Sequence, residues 1–327
     1  MKRILAILVL STMVIGLTAC GAAGDDGGSK VDIGYSVPDT TNPFVGWLTG
    51  EVETRAKADG LTVQIADAGN NATTQLEQIE NFIAMKVKVI ALMPVDPNNV
   101  QSAIEKAQEA GIKVLVAGTD TGVYDVMMNI NQYNAGEQIA EMGIDWLIKT
   151  YSTDGTEEGL EITPKVIVIK ETSTIDATNR SNGIIEKITA WGKAEVVVAQ
   201  GESMTAGAAT TIMENMWQQN ADAKLILTYN ADSAVGVNEY IMGQSNVDKS
   251  QIAVFSGDSS DPIMEVINKS PDNESIFRGT MAIVGPVIDG EQVPLPDATY
   301  QIIKGLSDGT WDNGAIIEDA IEKTYKN

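Results

Sequence analysis

From Val31 onward, short runs rich in Val, Ile and Leu alternate with longer amphipathic segments at steady intervals, and the cycle is completed twice. In the first half the apolar runs fall at 31–36, 61–66, 89–93, 114–117 and 126–130. In the second they fall at 165–169, 194–199, 225–228, 252–255 and 275–281. Runs this short and uniformly apolar suit strands buried on both faces. Their separation by helices implies parallel sheets with right-handed crossovers. Two such halves predict two doubly wound α/β domains.

The helices are legible from their ends. Across 44–59, Val45, Leu48, Val52 and Ala56 recur at helical spacing with charges between them, and Gly60 supplies a C-terminal stop. A second helix over 98–110 is opened by Asp96-Pro97 and closed by Gly111. Residues 150–164 turn polar and Gly-rich and read as a surface excursion, where Asp154, Glu157 and Glu158 lack the spacing of an EF-hand calcium loop.

Ahead of this rhythm, Lys2 and Arg3 precede an apolar stretch over 4–17, the length of a secretory signal rather than of a membrane span. The stretch ends in Leu17-Thr18-Ala19-Cys20, which resembles the lipobox of bacterial lipoproteins. That resemblance implies a signal peptide over 1–19, lipidation at Cys20 and an exported chain anchored to the cell membrane. A Gly/Asp/Ser tether over 20–30 follows.

Composition removes most chemistry. Cys20 is the only cysteine, so no intrachain disulfide is available, and the absence of histidine removes the usual general base, Ser-His-Asp and Cys-His arrangements, and nearly all zinc sites. With 22 basic against 45 acidic side chains, the net charge of −23 repels nucleic acid and anionic headgroups. No catalytic residue, metal site or cofactor is expected.

In open α/β sheets, ligands bind beyond the carboxyl ends of the strands, and those positions are polar here. They are Asp39-Thr40-Thr41-Asn42-Pro43-Phe44, Gly118-Thr119-Asp120-Thr121, Tyr229-Asn230-Ala231-Asp232 and Ser256-Gly257-Asp258, with Arg180 near the start of a helix. Asn42 also suits a helix cap, Phe44 a hydrophobic staple and Asp258 the cap of a helix through Met264, while Asp232 reads as a cap rather than a ligand contact.

This set resembles the type I periplasmic binding proteins that deliver sugars to ABC importers, the ribose and galactose/glucose group, over essentially the whole chain from Val31. The turn Thr41-Asn42-Pro43-Phe44, with Trp47 one turn on, matches the family's aromatic contact to the sugar. Arg180-Ser181-Asn182-Gly183 matches its Arg-x-x-Gly, Asn230 its strand-end asparagine and Asp258 its late aspartate. Departures are equally specific. Met93 replaces a strand-end asparagine, Gly118-Thr119 stands where Asp is usual with Asp120 shifted by one, Met204 falls near the second aromatic, and Ile283 near the hinge glutamine. The implied pocket, formed by Asn42, Phe44, Trp47, Asp120, Arg180, Met204, Asn230 and Asp258, is more apolar than is usual in that family.

The resemblance implies two Rossmann-like doubly wound parallel-sheet lobes joined by a three-stranded hinge. The crossings fall near Asn131, between Asp258 and Ile283, and near Asn313, giving lobes of 31–131 with 284–312 and 132–283 with 313–327. It further implies a monomeric, non-enzymatic, extracytoplasmic protein that captures a monosaccharide and presents it to an ABC permease. A ligand sensor for chemotaxis or signalling on the same fold, or a nucleoside or furanone ligand, stays open. A sugar-responsive repressor would need a helix-turn-helix where the signal stands, and a glycosidase would need a carboxylate pair such as Asp120 and Asp258.

Overall fold

The structure, a computed structural model, describes residues 30–201, 205–311 and the backbone of 315–325. The signal, Cys20 and Met204 lie outside the described residues, as does the crossing near Asn313. The chain begins β1 (Ile33–Val37), α1 (Pro43–Ala58), β2 (Val63–Asp67), α2 (Ala72–Met85), β3 (Val89–Leu92), α3 (Pro97–Glu109), β4 (Lys113–Gly118) and β5 (Val126–Asn129). It continues with α4 (Gln132–Tyr151), β6 (Lys165–Glu171), α5 (Ile175–Trp191), β7 (Glu195–Gly201), α6 (Ala206–Asn220), β8 (Leu225–Thr228), α7 (Ala231–Met242), β9 (Ala253–Gly257) and α8 (Asp261–Ile267). Last come β10 (Phe277–Ile288), β11 (Glu291–Gln292), α9 (Leu295–Asp308) and β12 (Ala315–Tyr325).

The strands run in the order β2-β1-β3-β4-β5-β12-β10-β9-β8-β6-β7. The first five and the last five form the same doubly wound arrangement, read inward from opposite edges. Every neighbouring pair along this path is parallel except β10 with β12. β12 joins the two halves: Ala315 to Glu318 pair with β5, and the later residues pair with β10. Helix α9 returns to the first lobe, where Arg55 Nε meets Asp297 at 2.7 Å and the Tyr300 hydroxyl donates to Asp59 at 2.7 Å.

Burial follows strand position. The interior strands β1, β3, β8 and β9 are buried at every residue, whereas the edge strands β2 and β7 are partly exposed. Two sequence expectations were incomplete. The run over 275–281 becomes a strand that continues to Ile288, because Gly285, at φ +97°, absorbs an irregularity instead of ending the strand. For β12 the sequence reading predicts only a hinge crossing near Asn313 and no strand, since beyond Ala315-Ile316-Ile317 its sequence is not continuously apolar.

The helices start where strand-end polar residues cap them. Asn42, Asn71, Asp96, Thr174, Thr205 and Asn230 each accept from a backbone N–H in the first turn that follows. The excursion after α4 is closed by a bridge between Ser152 and Leu160, and Asp154 Oδ1 accepts from the Thr156 N–H at 2.9 Å. Among the described residues, no group of three or more acidic, Cys or His side chains is disposed to hold a metal, and no helix is long and apolar enough to cross a membrane.

Candidate ligand-binding site

In each lobe the winding direction reverses beside its first strand, between β1 and β3 and between β6 and β8. The C-terminal ends of strands open a crevice there. The two crevices face one another, and the cleft between them holds about 990 Å³ counted to its open mouth. A concave cleft of this kind, at the strand ends between two lobes, is where small-molecule sites form.

Five of the residues singled out from sequence reach this cleft: Asn42, Phe44, Arg180, Asn230 and Asp258. Two described ones do not. Trp47 turns from the cleft and packs on the core, its ring 6.0 Å from that of Phe44. Asp120 is exposed, and its carboxylate accepts from the Gly122 N–H at 2.7 Å, a local turn contact. Asp232, expected as a cap, lies on the wall instead, because Asn230 caps α7. Asp258 does not cap α8 either, since Ser260 holds that position.

The centre of the second lobe's wall is a buried ion pair. Arg180 is 2 % exposed, and its Nη1 donates to Asp258 Oδ1 at 2.9 Å and to the Tyr229 carbonyl at 3.3 Å. Its Nε donates to Gln132 Oε1 at 2.8 Å, and the guanidinium lies 4.8 Å from the centre of the Tyr229 ring. Burial alone would lower the Arg180 pKa, but the attraction of Asp258, the Tyr229 phenol and Asp176 outweighs it and raises the value. Asp258 holds its place through a left-handed backbone at φ +71° and a 2.8 Å bond from its N–H to the Met281 carbonyl.

Sequence reasoning missed Glu171, Asp176 and Gln132, which share this wall. Asp176 stands four residues before Arg180, one helical turn away on the same face of α5, a spacing that was available. Glu171 is the one acidic residue of β6, whose Val-Ile-Val-Ile centre is flanked by Lys165 and Lys170, and it ends that strand at the crevice. Glu171 Oε1 accepts from the N–H groups of Thr172 and Ser173, while its Oε2 is sealed from water with no partner. Asp176 is partly covered as a residue, yet its Oδ1 is also sealed and unpartnered.

Burial pushes the Asp176 carboxyl up to about 6, against the opposing pull of Arg180 and a hydrogen bond from Gln132. The folded chain therefore holds that proton more tightly than the unfolded one, whose value is near 3.8. Asp176 contributes stability that is present below pH 4 and lost as pH rises through about 6. Asp176→Asn should flatten that component, so urea midpoints at pH 4.5 and pH 7 should differ less in the variant. Parallel profiles for the two proteins would refute this environment for Asp176.

The lobes approach closely at one point beside this carboxyl. Gly118, at the end of β4, has φ +98°, and a Cβ there would lie 2.9 Å from Asp176 Oδ2.

The comparisons with known proteins agree with this architecture. The chain is 26 % identical over 250 residues to a ribose import binding protein of Bacillus subtilis, covering 73 % of this chain and 77 % of the relative. It is 22 % identical over 265 residues to a galactofuranose-binding protein of Escherichia coli, covering 78 % and 80 % respectively. Among solved structures, a Mycobacterium smegmatis protein in complex with β-D-fucofuranose superposes with a TM-score of 0.72 at 17 % identity, over 90 % of this chain and 91 % of that one. A Caulobacter myo-inositol binding protein superposes with a TM-score of 0.70 at 20 % identity, over 90 % and 94 %. Residues 33–278 match the family described as periplasmic binding protein domain. With that match over most of its length and two lobes of parallel α/β structure around one cleft, this chain belongs to the periplasmic binding protein family, in its type I architecture.

Proposed function

We propose that this protein is an extracytoplasmic receptor that closes its two lobes over a small carbohydrate and hands it to an ABC import permease, without covalent chemistry. The observation that carries the reading is the second lobe's wall. There the Arg180–Asp258 pair stands beside two sealed carboxylate oxygens, on Glu171 and Asp176, that have no donor. A sugar hydroxyl is both donor and acceptor, so one ligand can fill carboxylate oxygens and accept from a guanidinium at once. Burial of such groups is tolerable only when they are partnered, which makes the closed complex selective for hydroxyl stereochemistry.

In this reading the lobes are 31–131 with 284–312 and 132–283 with 313–327. They rotate about their three connections as a hinge, and Asn42, Phe44, Arg180, Asn230 and Asp258 contact the ligand. Cys20 carries the lipid that keeps the monomer at the membrane. The names of the relatives, which bind ribose and galactofuranose, support the sugar class.

Thermal denaturation of residues 30–327 with monosaccharides, polyols, nucleosides and furanones tests the proposal. A true ligand at about 100 times its Kd should add roughly 2.7 kcal/mol of stability, and Asp258→Asn should abolish the shift. A shift from a nucleoside or furanone with none from any sugar would overturn the sugar assignment.

A further inference from the structure

The two walls of the cleft differ in unused hydrogen-bonding capacity, and that difference, taken with the sugar reading above, narrows the ligand. On the first lobe the backbone is spent or silent. Pro38 and Pro94 have no N–H, and the Pro38 carbonyl accepts from Asn70 at 2.7 Å. The Phe44 and Val45 N–H groups donate to Asn42 Oδ1 at 3.0 and 3.2 Å. Met93 donates its N–H to the Ser36 carbonyl at 3.0 Å and accepts on its own carbonyl from Gln75 Nε2 at 2.8 Å.

The polar side chains of this wall other than Asn42 bond one another, with acceptor capacity left only on the Asp39 carboxylate and its neighbours toward solvent. Thr41 and Asn70 both bond Asp39, at 2.6 and 3.2 Å, in a cluster at the solvent-exposed mouth. Thr119, whose hydroxyl is sealed and unpartnered, is not part of the wall. What remains toward the interior is the Asn42 amide N–H and an apolar surface of Phe44, Val45, Met93 and Ala117. The second lobe is the reverse, with Glu171 Oε2 and Asp176 Oδ1 both buried and without a hydrogen-bond partner.

We propose that the ligand is a sugar with one hydroxylated and one apolar face, of the deoxy or methyl-bearing class. Its hydroxyls meet Glu171, Asp176 and Arg180, and its apolar face lies under the first lobe at Phe44, Val45, Met93 and Ala117. On closure, a hydroxyl pressed against that surface exchanges water for nothing. Such a loss lowers affinity by roughly tenfold or more, whereas a methyl group in the same place gains contact.

Isothermal titration with three matched pairs tests this: L-fucose against L-galactose, L-rhamnose against L-mannose, and D-quinovose against D-glucose. Each pair exchanges one methyl for one hydroxymethyl group. The expected result is that the pair that binds does so at least about tenfold more tightly through its deoxy member. Met93→Asn, which puts a donor and an acceptor on the apolar wall, should narrow or reverse the preference. Ala117→Ser should do the same with little added volume, should Met93→Asn fail to fold. Equal or tighter binding of the hydroxymethyl member overturns the inference and leaves the sugar reading standing. Binding by no member of any pair, in a protein whose fold is intact by circular dichroism and which another monosaccharide stabilises, overturns the inference and leaves the sugar reading standing, whereas a protein that no sugar stabilises overturns both.

Discussion

Arg180→Ala is expected to lower folding stability by about 3–5 kcal/mol, because it removes the cation from a buried, hydrogen-bonded pair. Asp258, 7 % exposed, would lose its 2.9 Å partner, and Gln132 Oε1 would lose its donor. Two further carboxylates, Glu171 and Asp176, face the same space, so three acidic groups would be left without a balancing charge. Urea denaturation at pH 7 should show the full loss, and the melting temperature should fall by roughly 10 °C. The defect should shrink toward pH 5, since removing Arg180 takes away the pull that opposes the burial-raised affinity of the Asp176 carboxyl for its proton, and folding then gains more as pH falls. Arg180→Lys should recover part of the stability and less of the ligand affinity, because an ammonium keeps the charge but not the planar fork. A loss under 1 kcal/mol for Arg180→Ala, or one that grows on acidification, would refute the ion pair as the organiser of this wall.

The second large effect is expected at Gly136. Helices α4 and α5 cross with backbone against backbone: a Cβ on Gly136 would overlap the Arg180 carbonyl oxygen, and one on Gly183 would overlap the Tyr133 carbonyl oxygen. Neither obstacle is a side chain that can swing away, so the helices themselves must separate. Gly136→Ala should therefore cost about 2–3 kcal/mol, the upper part of the range for overpacked cores. The atom displaced belongs to Arg180, so ligand affinity should fall by about tenfold along with stability. Gly50, in the middle of α1 with open space at its Cβ position, is the matched contrast. Gly50→Ala should gain about 0.5–1 kcal/mol from helix propensity and leave binding unchanged. Denaturation and titration of both variants decide the matter, and equal effects at the two glycines would remove the helix crossing from the explanation.

How far the sequence reached is clearest at the strand ends. Asn42 and Asn230 stand out because a helix begins there, and the same geometry that makes a cap turns the residue toward the cleft. The two readings of Asn42, as cap and as wall, both hold in its placement, since its Oδ1 caps α1 while the residue lines the cleft. Phe44 and Trp47 could not be separated in that way. They lie three residues apart on one helix, and their different surroundings depend on what packs against α1 from elsewhere in the chain, including α9 some 250 positions later. Asp120 and Asp176 were interchangeable as acidic residues near strand ends. Only the packing of α5 against α4, where Gln132 meets Arg180 and Asp176, puts Asp176 in the cleft, while Asp120 stays on a surface turn.

The sequence by itself determined the two βα cycles, the positions of the interior strands and the caps that start the helices. These are set by apolar periodicity and by the hydrogen-bonding habits of Asn, Asp, Thr and Gly within a few neighbouring residues. Only the tertiary structure decided that β12 would join both halves, pairing with β5 over one stretch and β10 over the next. It alone also decided that Glu171, Asp176, Arg180 and Asp258 would share one wall opposite an apolar one. Those arrangements depend on contacts between residues up to about 190 positions apart, and local periodicity carries no information about which distant surface a strand end will meet.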